Sequence, residues 1–137
     1  MPSRLTIESR FDQLPRLVDW VGELVASQPL SRAMAYRLDL VLTEAVTNII
    51  EHGCDNGREP CRIILDYRLV DQAIEVEIRD NARAFDPTRH PGLLHGLDLH
   101  EASPGGRGIH LMRQYTIGIH YRREDECNIL TLSFDTG

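Results

Sequence analysis

The chain has few aromatic residues, few cysteines and no long apolar run. Its 137 residues include one tryptophan and three cysteines, and 6% of them are aromatic. Cys54, Cys61 and Cys127 form no C-x-x-C pair, and their odd number favours reduced thiols over a disulfide framework. No apolar run approaches the roughly 18 residues of a membrane helix, and the N-terminal residues do not resemble a signal peptide. We therefore expect a cytoplasmic protein with no membrane segment.

An excess of basic residues is also missing. The net charge is −6 and the sequence pI is about 5.4, which argues against nucleic acid or an anionic membrane as a direct partner. The hydrophobic share of 42% and the charged share of 26% are those of an ordinary globular protein. A P-loop and a serine-hydrolase elbow are absent from the sequence. The length fits a single domain over 1–137.

Apolar periodicity predicts two layers of secondary structure. Two stretches repeat apolar residues every three and four positions, which predicts amphipathic helices over 14–27 and 31–52. Five stretches alternate apolar and polar residues, which predicts strands at 4–9, 61–69, 74–80, 117–121 and 130–134. Hairpins connect most of these strands, so the helices can cover one face only. The expected fold is an α/β (α+β) two-layer sandwich with a mixed, mainly antiparallel sheet.

Glu44 and Asn48 stand four residues apart in the second predicted helix, so they lie one turn apart on one side of it. Both border the apolar arc of that helix, at the rim of the expected core. The oxygen of Asn48 is a ligand of the kind that Mg²⁺ prefers, and Glu44 can serve as a general base. The alternative is a surface pair that stabilises the helix by about 0.2–0.5 kcal/mol.

Asp80 is a carboxylate predicted to face the core. It falls in register with Ile74, Val76 and Ile78, so its side chain points to the same face of the strand. A buried carboxylate is unfavourable unless hydrogen-bond donors reach it. Such an acceptor suits an exocyclic amine, for example the N6 group of adenine.

A long connection and a glycine-rich segment follow. Residues 81–104 show no sustained period, and connections of this length are commonly lids or binding loops. The segment Gly105-Gly106-Arg107-Gly108 precedes a short predicted helix at 109–115, where free backbone N–H groups can bind an anion. Arg107 adds a charged donor suited to phosphate. A purely structural glycine loop is the alternative.

Three segments together resemble the GHKL (Bergerat-fold) ATPase/kinase superfamily. Glu44-Ala-Val-Thr-Asn48, continuing to Glu51-His52-Gly53, resembles the N box. Asp80-Asn-Ala-Arg-Ala-Phe-Asp-Pro87 resembles the first glycine box, and Gly105-Gly-Arg-Gly-Ile-His-Leu-Met112 resembles the second. The similarity extends over nearly the whole chain to the anti-sigma-factor serine/threonine kinases of this superfamily, which implies the Bergerat ATP-binding fold with a lid loop.

The resemblance implies a role for each matched position. Asn48 would coordinate Mg²⁺, Glu44 would activate the attacking hydroxyl, and Asp80 would bind the adenine N6 group. The remaining positions implied to bind ATP are Ala82, Phe85, Gly105, Gly106, Arg107, Gly108 and Asn128. Residues from about 87 to 104 would form the ATP lid. Asn128 matches a polar residue near the adenine of related kinases and shares the inward phase of the neighbouring apolar residues.

The implied function is that of a protein serine/threonine kinase in a partner-switching pathway. Such a kinase binds ATP and Mg²⁺, phosphorylates a STAS-type anti-anti-sigma protein and sequesters a sigma factor, commonly as a homodimer. Trp20, on the flank of the first predicted helix, is expected either to belong to the core or to form part of a protein interface. In the second case, it and the exposed face of the sheet are candidate surfaces for these partners.

One departure from the family pattern supports an alternative. The first glycine box usually has glycine where this chain has Ala82 and Ala84. A positive φ at position 82 would make alanine unfavourable by about 1–2 kcal/mol, so nucleotide affinity is in question. The alternative function is a nucleotide-sensing module that captures partners without phosphoryl transfer. A catalytic domain of a sensor histidine kinase or a gyrase-like ATPase is disfavoured by the short chain.

A metal site built from histidines is a further alternative. The candidates are His90, His95, His100 and His110. Their spacings of five and ten residues give no H-x₃-H pair, and no cysteine accompanies them. The sequence therefore disfavours a histidine-bound metal.

Overall fold

A computed structural model describes residues 3–28, 30–53, 60–89 and 111–135. Within these ranges the order of elements is β-α-α-β-β-β-β, and the predicted helix before the last two strands is helical at 111–115. The elements are β1 (Arg4–Glu8), α1 (Leu14–Ser27), α2 (Arg32–Asn48), β2 (Arg62–Val70), β3 (Ala73–Asp80), β4 (Gly118–Glu124) and β5 (Cys127–Asp135). This order agrees with the one expected from apolar periodicity.

The five strands form one sheet in the order β1-β2-β3-β5-β4. All four pairings are antiparallel. One face of the sheet packs against α1 and α2 in a shared hydrophobic core. The opposite face carries surface ion pairs, such as Arg4 with Asp66 and Arg68 with Glu75, each at 2.7 Å. The predicted two-layer sandwich is confirmed, with the helices on one face.

The alternation of buried and partly exposed residues in β3 places a carboxylate on the core face at one end of the sheet. Its residues alternate between buried and partly exposed positions, and the last of them, Asp80, is buried with 4% of its surface exposed. The register pairs Asp80 with Asn128 of β5. Both side chains therefore lie on the core face of adjacent strands, at the end where the apolar residues stop.

Both helices begin where the sequence predicts, and only the end of α2 differs from the expected α-helix. Ser31 caps α2, because its side-chain oxygen accepts a hydrogen bond from the Met34 amide at 3.1 Å. The α-helical part of α2 ends at Asn48 and continues as a wider π-helical turn over Ile49–Gly53.

Trp20 of α1 has only 3% of its surface exposed, so it belongs to the core and is not a docking surface.

The bonding state of the cysteines differs in part from the one expected from the sequence. Cys61 is disulfide-bonded, whereas Cys127 is a free, partly buried thiol. The expectation of reduced thiols is therefore wrong for Cys61. Cysteine number and spacing were the only grounds for that expectation, and neither reports the distance between two side chains.

The turn between β4 and β5 is strained, which gives a stability prediction. Asp125 and Glu126 have φ values of 52° and 62°, a left-handed conformation that is unfavourable for residues with a side chain. Glycine at the second position is strongly preferred in such hairpin turns. We expect Glu126→Gly to stabilise the fold by about 1 kcal/mol, or roughly 3–5 °C in melting temperature. Calorimetry measures this, and an unchanged or lower melting temperature would contradict it.

Candidate active site

One pocket brings several of the expected residues together. It lies between the end of α2, the adjoining ends of β3 and β5, and the segment after β3. Its lining residues are Ala45, Asn48, Ile49, Asp80, Phe85, Pro87, Met112, Tyr121, Asn128 and Leu130. Four expected site residues, Asn48, Asp80, Phe85 and Asn128, therefore share a single cleft with apolar walls. Such a cleft with a few converging polar groups is typical of a small-molecule site.

Asp80 forms the polar end of this pocket. Its Oδ1 atom accepts hydrogen bonds from the Ala82 amide at 3.0 Å and from Asn128 Nδ2 at 2.9 Å. Burial raises the pKa of Asp80, while these two hydrogen bonds and the positive charge of Arg123 act in the opposite direction. Both of these donors bind Oδ1, and within the described chain no hydrogen bond to Oδ2 is formed. The second carboxylate oxygen thus remains as an acceptor for one donor of a ligand.

Asn128 is the centre of the hydrogen-bond network around Asp80. Its Oδ1 atom accepts from Tyr121 Oη at 2.5 Å, Arg123 Nη1 at 3.0 Å and the Phe85 amide at 3.3 Å. Its Nδ2 atom donates to Asp80 and also to the Arg83 carbonyl at 2.8 Å. These bonds fix the orientation of the amide, which in turn fixes Oδ1 of Asp80. Asn128 therefore connects the carboxylate to the segment that follows β3.

Arg123 and Tyr121 were not identified from the sequence. Arg123 Nη1 also donates to the Ala82 carbonyl at 2.8 Å, and burial raises the pKa of Tyr121. Both residues stand on β4 in the same phase as Ile119, and the register places Arg123 opposite Asn128. The sequence phase of Arg123 and Tyr121 could have indicated that both side chains face the core. Only the pairing of β4 with β5 shows that Arg123 contacts Asn128.

The alanines at the two atypical positions are accommodated without backbone strain. Outside glycine, the positive φ values of the described chain occur at Asp71, Asp125 and Glu126. Ala82 and Ala84 therefore adopt ordinary backbone conformations, and Ala82 is buried with 4% of its surface exposed. The condition under which Ala82 would be unfavourable, a positive φ, is not met.

Asn48 enters the pocket from the end of α2. It has 4% of its surface exposed, and its Nδ2 atom is buried with no hydrogen-bond partner among the residues that the structure describes. An unsatisfied buried amide is unfavourable by about 1–3 kcal/mol. Since the oxygen and nitrogen of an amide exchange places by a 180° rotation, Asn48 can present an oxygen to the same space. This unpartnered amide fits a role in holding Mg²⁺ between the protein and a phosphate chain.

Glu44 lies one turn before Asn48 and outside the pocket lining. It is half-buried, and burial raises its pKa, with a further increase from the negative charge of Glu51. A carboxylate with a raised pKa is a stronger base than an exposed one. The pair is therefore not a simple surface pair, because Asn48 is buried and Glu44 is partly withdrawn from water.

The π-helical turn after Asn48 is joined to the segment after β3. The ring of His52 stacks on that of Phe85, with centroids 5.1 Å apart and planes inclined by 18°. Arg83 Nε donates to the His52 carbonyl at 2.8 Å. Wide turns of this kind inside helices often occur at functional sites. Here the turn places the backbone after Asn48 against the wall that carries Phe85.

The phosphate-binding part of the expected site lies outside the described residues. Gly105, Gly106, Arg107 and Gly108 belong to the range 90–110, as do most of the expected lid and His90, His95, His100 and His110. The described start of the lid is a short turn at Pro87–Arg89. Among the described residues, no three His, Cys, Asp or Glu side chains are grouped to hold a metal ion.

Comparison with known proteins decides the family. A family model described as "Histidine kinase-like ATPase domain" matches residues 7–134. The chain belongs to this family. The expected GHKL superfamily is thereby confirmed, and ATP binding follows as the general property of an ATPase domain of this type.

One relative of this chain is named as a kinase. The chain is 34% identical over 116 residues to the Serine/threonine-protein kinase BtrW of Bordetella bronchiseptica. The match covers 83% of this chain and 80% of the relative. This domain is therefore similar to a serine/threonine kinase over most of both proteins.

Solved structures agree on the fold. The Erythrobacter litoralis EL346 blue-light activated histidine kinase superposes with a TM-score of 0.56 at 17% identity, over 78% of this chain and 32% of that one. The histidine kinase domain of the same protein gives 0.56 at 15% identity, over 91% and 60%. The chain spans about a third and three fifths of these two structures. Within the described ranges, no helix has the length and apolar character needed to cross a bilayer.

The network around Asn128 gives a prediction for Arg123. Arg123→Ala removes the donors to Asn128 and to the Ala82 carbonyl, so the wall beside Asp80 becomes less ordered. We expect roughly fivefold weaker ATP binding, the equivalent of one lost hydrogen bond of about 1 kcal/mol. Arg122 points to the opposite face and pairs with Glu124, so Arg122→Ala is the control. Titration calorimetry compares the two, and equal affinities for both variants would contradict the role given to Arg123.

Proposed function

We propose that this domain is a serine/threonine-protein kinase that transfers the γ-phosphate of ATP to a hydroxyl of a small partner protein. The observation that carries the proposal is the shared pocket of Asn48 and Asp80, with Glu44 one helical turn from Asn48. The similarity to a serine/threonine kinase over most of the chain supports it.

In the proposed site, each residue has one task. Oδ2 of Asp80 accepts a hydrogen bond from the adenine amine, and the apolar walls around Phe85 and Met112 enclose the base. Asn48 would hold Mg²⁺, which neutralises phosphate charge when bound. Glu44 takes the proton of the attacking hydroxyl. Gly105–Gly108, with Arg107, would bind phosphate, and residues 87–104 would close over the nucleotide as a lid.

The proposed substrate is a STAS-type anti-anti-sigma protein in a partner-switching pathway. The same domain would sequester a sigma factor in the cytoplasm and act as a homodimer. Support comes from the three matched boxes, taken with the family and the kinase relative. The acidic net charge of −6 fits protein partners better than nucleic acid.

A nucleotide-sensing module without phosphoryl transfer is the competing proposal. Its main support was the pair of alanines in the first glycine box, and the ordinary φ of Ala82 weakens that support. Glu44, partly buried beside the candidate metal ligand with a raised pKa, favours the kinase.

Incubation with radiolabelled ATP, Mg²⁺ and a STAS-type protein encoded near this gene tests the proposal. We expect label on a serine or threonine of the STAS protein. Intact ATP binding and partner capture without label transfer would support the sensor instead. Absence of ATP binding would contradict both proposals.

A further inference from the structure

A second depression in the surface lies where β2 begins and β3 ends, outside the nucleotide pocket. Its volume is about 330 Å³, within the range of roughly 300–1,000 Å³ that is usual for small-molecule sites. None of the described residues that line it also lines the pocket of Asn48 and Asp80. Six polar side chains contribute to its walls: Thr6, Glu8, Gln13, Arg16, Arg62 and Asn81. We refer to this depression as the Arg16–Arg62 groove.

Backbone pairing holds the two sides of the Arg16–Arg62 groove together. Glu8 of β1 pairs with Arg62 of β2, so both side chains lie on the exposed face of adjacent strands. Asn81 directly follows β3, and its Oδ1 atom accepts a hydrogen bond from the Arg62 amide at 2.7 Å. Gln13, just before α1, accepts from the Glu8 amide at 3.4 Å. The groove is therefore built from four elements that are fixed to one another.

Both amide side chains of the groove have their oxygen atoms already in use. Gln13 Oε1 accepts from the Glu8 amide and also from Arg16 Nη1 at 3.2 Å, and Asn81 Oδ1 accepts from the Arg62 amide. A backbone N–H can only donate, so the orientation of each side-chain amide is determined. The NH₂ groups of Gln13 and Asn81 have no acceptor among the residues that the structure describes. They remain as hydrogen-bond donors for a ligand.

The two arginines of the groove have no carboxylate partner within the described ranges. Arg16 donates to an amide oxygen, and the Arg62 guanidinium forms no ion pair there. In a chain with a net charge of −6, other exposed arginines do pair with carboxylates, including Arg4, Arg68 and Arg122. Glu8 is the carboxylate that lines the groove, and its Oε2 atom lies 3.5 Å from Arg10 Nε. The groove thus has two positive charges that are not neutralised by the described chain.

We propose that the Arg16–Arg62 groove binds a phosphoryl group, either as free phosphate or as a phosphate monoester. Guanidinium groups bind phosphate through paired N–H donors, and the NH₂ groups of Gln13 and Asn81 add further donors. A carboxylate offers two oxygens, whereas a phosphate monoester offers three and carries a charge of about −1.5 to −2 at pH 7. A donor-rich groove therefore favours phosphate. Such binding goes beyond the proposed function, because it needs neither the nucleotide pocket nor phosphoryl transfer.

Titration of the full chain with inorganic phosphate, followed by NMR of the side-chain N–H groups, tests this proposal. Chloride keeps the ionic strength constant, and the titration is run with and without ATP-Mg²⁺. We expect the NH₂ signals of Gln13 and Asn81 and the Nε signals of Arg16 and Arg62 to shift along one saturating curve in both conditions. Shifts without saturation, or equal shifts at the exposed Arg32 and Arg68, would overturn the proposal.

Two variants and two matched controls locate the site. Arg16→Gln and Arg62→Gln each remove a charged donor, so each should weaken phosphate binding by about tenfold or more. Both positions are exposed, so the variants should fold, which circular dichroism checks, and if one does not, the other decides. Arg32→Gln and Arg68→Gln should keep the wild-type affinity. Wild-type affinity in the folded groove variants would contradict the site. ATP-Mg²⁺ binding should be unchanged in all four, so a failure of the nucleotide pocket is separable.

A second set of ligands identifies the source of the phosphoryl group. The probes are a phosphoserine peptide blocked at both ends, its unphosphorylated form, and succinate. Tighter binding of the phosphopeptide than of inorganic phosphate would assign the groove to a phosphorylated side chain, and the reverse order would assign it to the free ion. Succinate binding as tight as phosphate would overturn the assignment to a phosphoryl group, as would equal binding of the two peptides.

Discussion

Replacing Asp80 with asparagine is expected to weaken ATP binding by about 100-fold or more while leaving the fold intact. Asparagine keeps an Oδ1 atom to accept from the Ala82 amide and from Asn128, but it replaces the free oxygen with an N–H donor. That donor would face the donating amine of adenine, and we expect affinity to fall by at least about 100-fold. ATP-Mg²⁺ at about 100 times the wild-type Kd stabilises the wild type by about 2.7 kcal/mol, and this variant by only about 0.4 kcal/mol.

Thermal unfolding with and without nucleotide measures this difference. The pKa of Asp80 is raised in the folded chain, so its contribution to stability decreases as the pH rises from the unfolded pKa through the folded one. The ionised Asp80 carboxylate therefore lowers the stability of the folded state at neutral pH. Without nucleotide, the Asp80→Asn variant, which has a neutral side chain here, should unfold at the same temperature as the wild type or a higher one. Asp66→Asn on the outer sheet face is the matched control. A full nucleotide-induced shift in Asp80→Asn would contradict the role of Asp80.

Replacing Glu44 with glutamine is expected to remove phosphoryl transfer and retain nucleotide binding. Glutamine has nearly the same shape but cannot take a proton at neutral pH, and loss of a general base lowers rates by about 10²–10⁴-fold. Because Glu44 lies outside the pocket lining, the shift in melting temperature with ATP-Mg²⁺ should remain. The control is Glu75→Gln on the outer sheet face. Loss of both binding and transfer would mean that Glu44 has a structural role.

The pH dependence of the wild type gives a second test of Glu44. Burial and the charge of Glu51 raise the pKa of Glu44, and only the ionised carboxylate accepts a proton. Transfer should therefore decrease as the pH falls through this raised pKa, at a higher pH than for an exposed glutamate. Glu51→Gln removes one cause of the increase and should move the decrease to lower pH. A rate that is independent of pH in this range would contradict the assignment.

Much of the fold follows from periodicity, because one face of each strand and helix must be buried. The alternation through Ile74, Val76 and Ile78 was sufficient to place Asp80 on the core face. The family motifs grouped Asn48 with Asp80, and the pocket contains both. Such predictions need only the alternation of apolar residues within one element and the match of short segments to family motifs, and a single sequence contains both.

Other parts of the site depend on strand register and on helix geometry, which the periodicity of apolar residues does not reveal. The contact of Arg123 with Asn128 and the Ala82 carbonyl requires the register of β4 on β5. The stacking of His52 on Phe85 requires the π-helical turn, whereas the apolar pattern predicted an α-helix as far as His52. The contacts of Arg123 with the Ala82 carbonyl and of His52 with Phe85 each join residues more than 30 positions apart in sequence, so they result from the assembled fold.

Titration calorimetry with ATP-Mg²⁺ tests the central claim most directly, namely that Asp80 and Asn48 hold the two ends of one nucleotide. The wild type should bind one ATP per chain, more tightly with Mg²⁺ than with EDTA. Asp80→Asn should lose binding in both conditions, whereas Asn48→Ala should lose the advantage given by Mg²⁺. No heat of binding from the wild type at millimolar ATP-Mg²⁺, or an unchanged Mg²⁺ dependence in Asn48→Ala, would contradict this account.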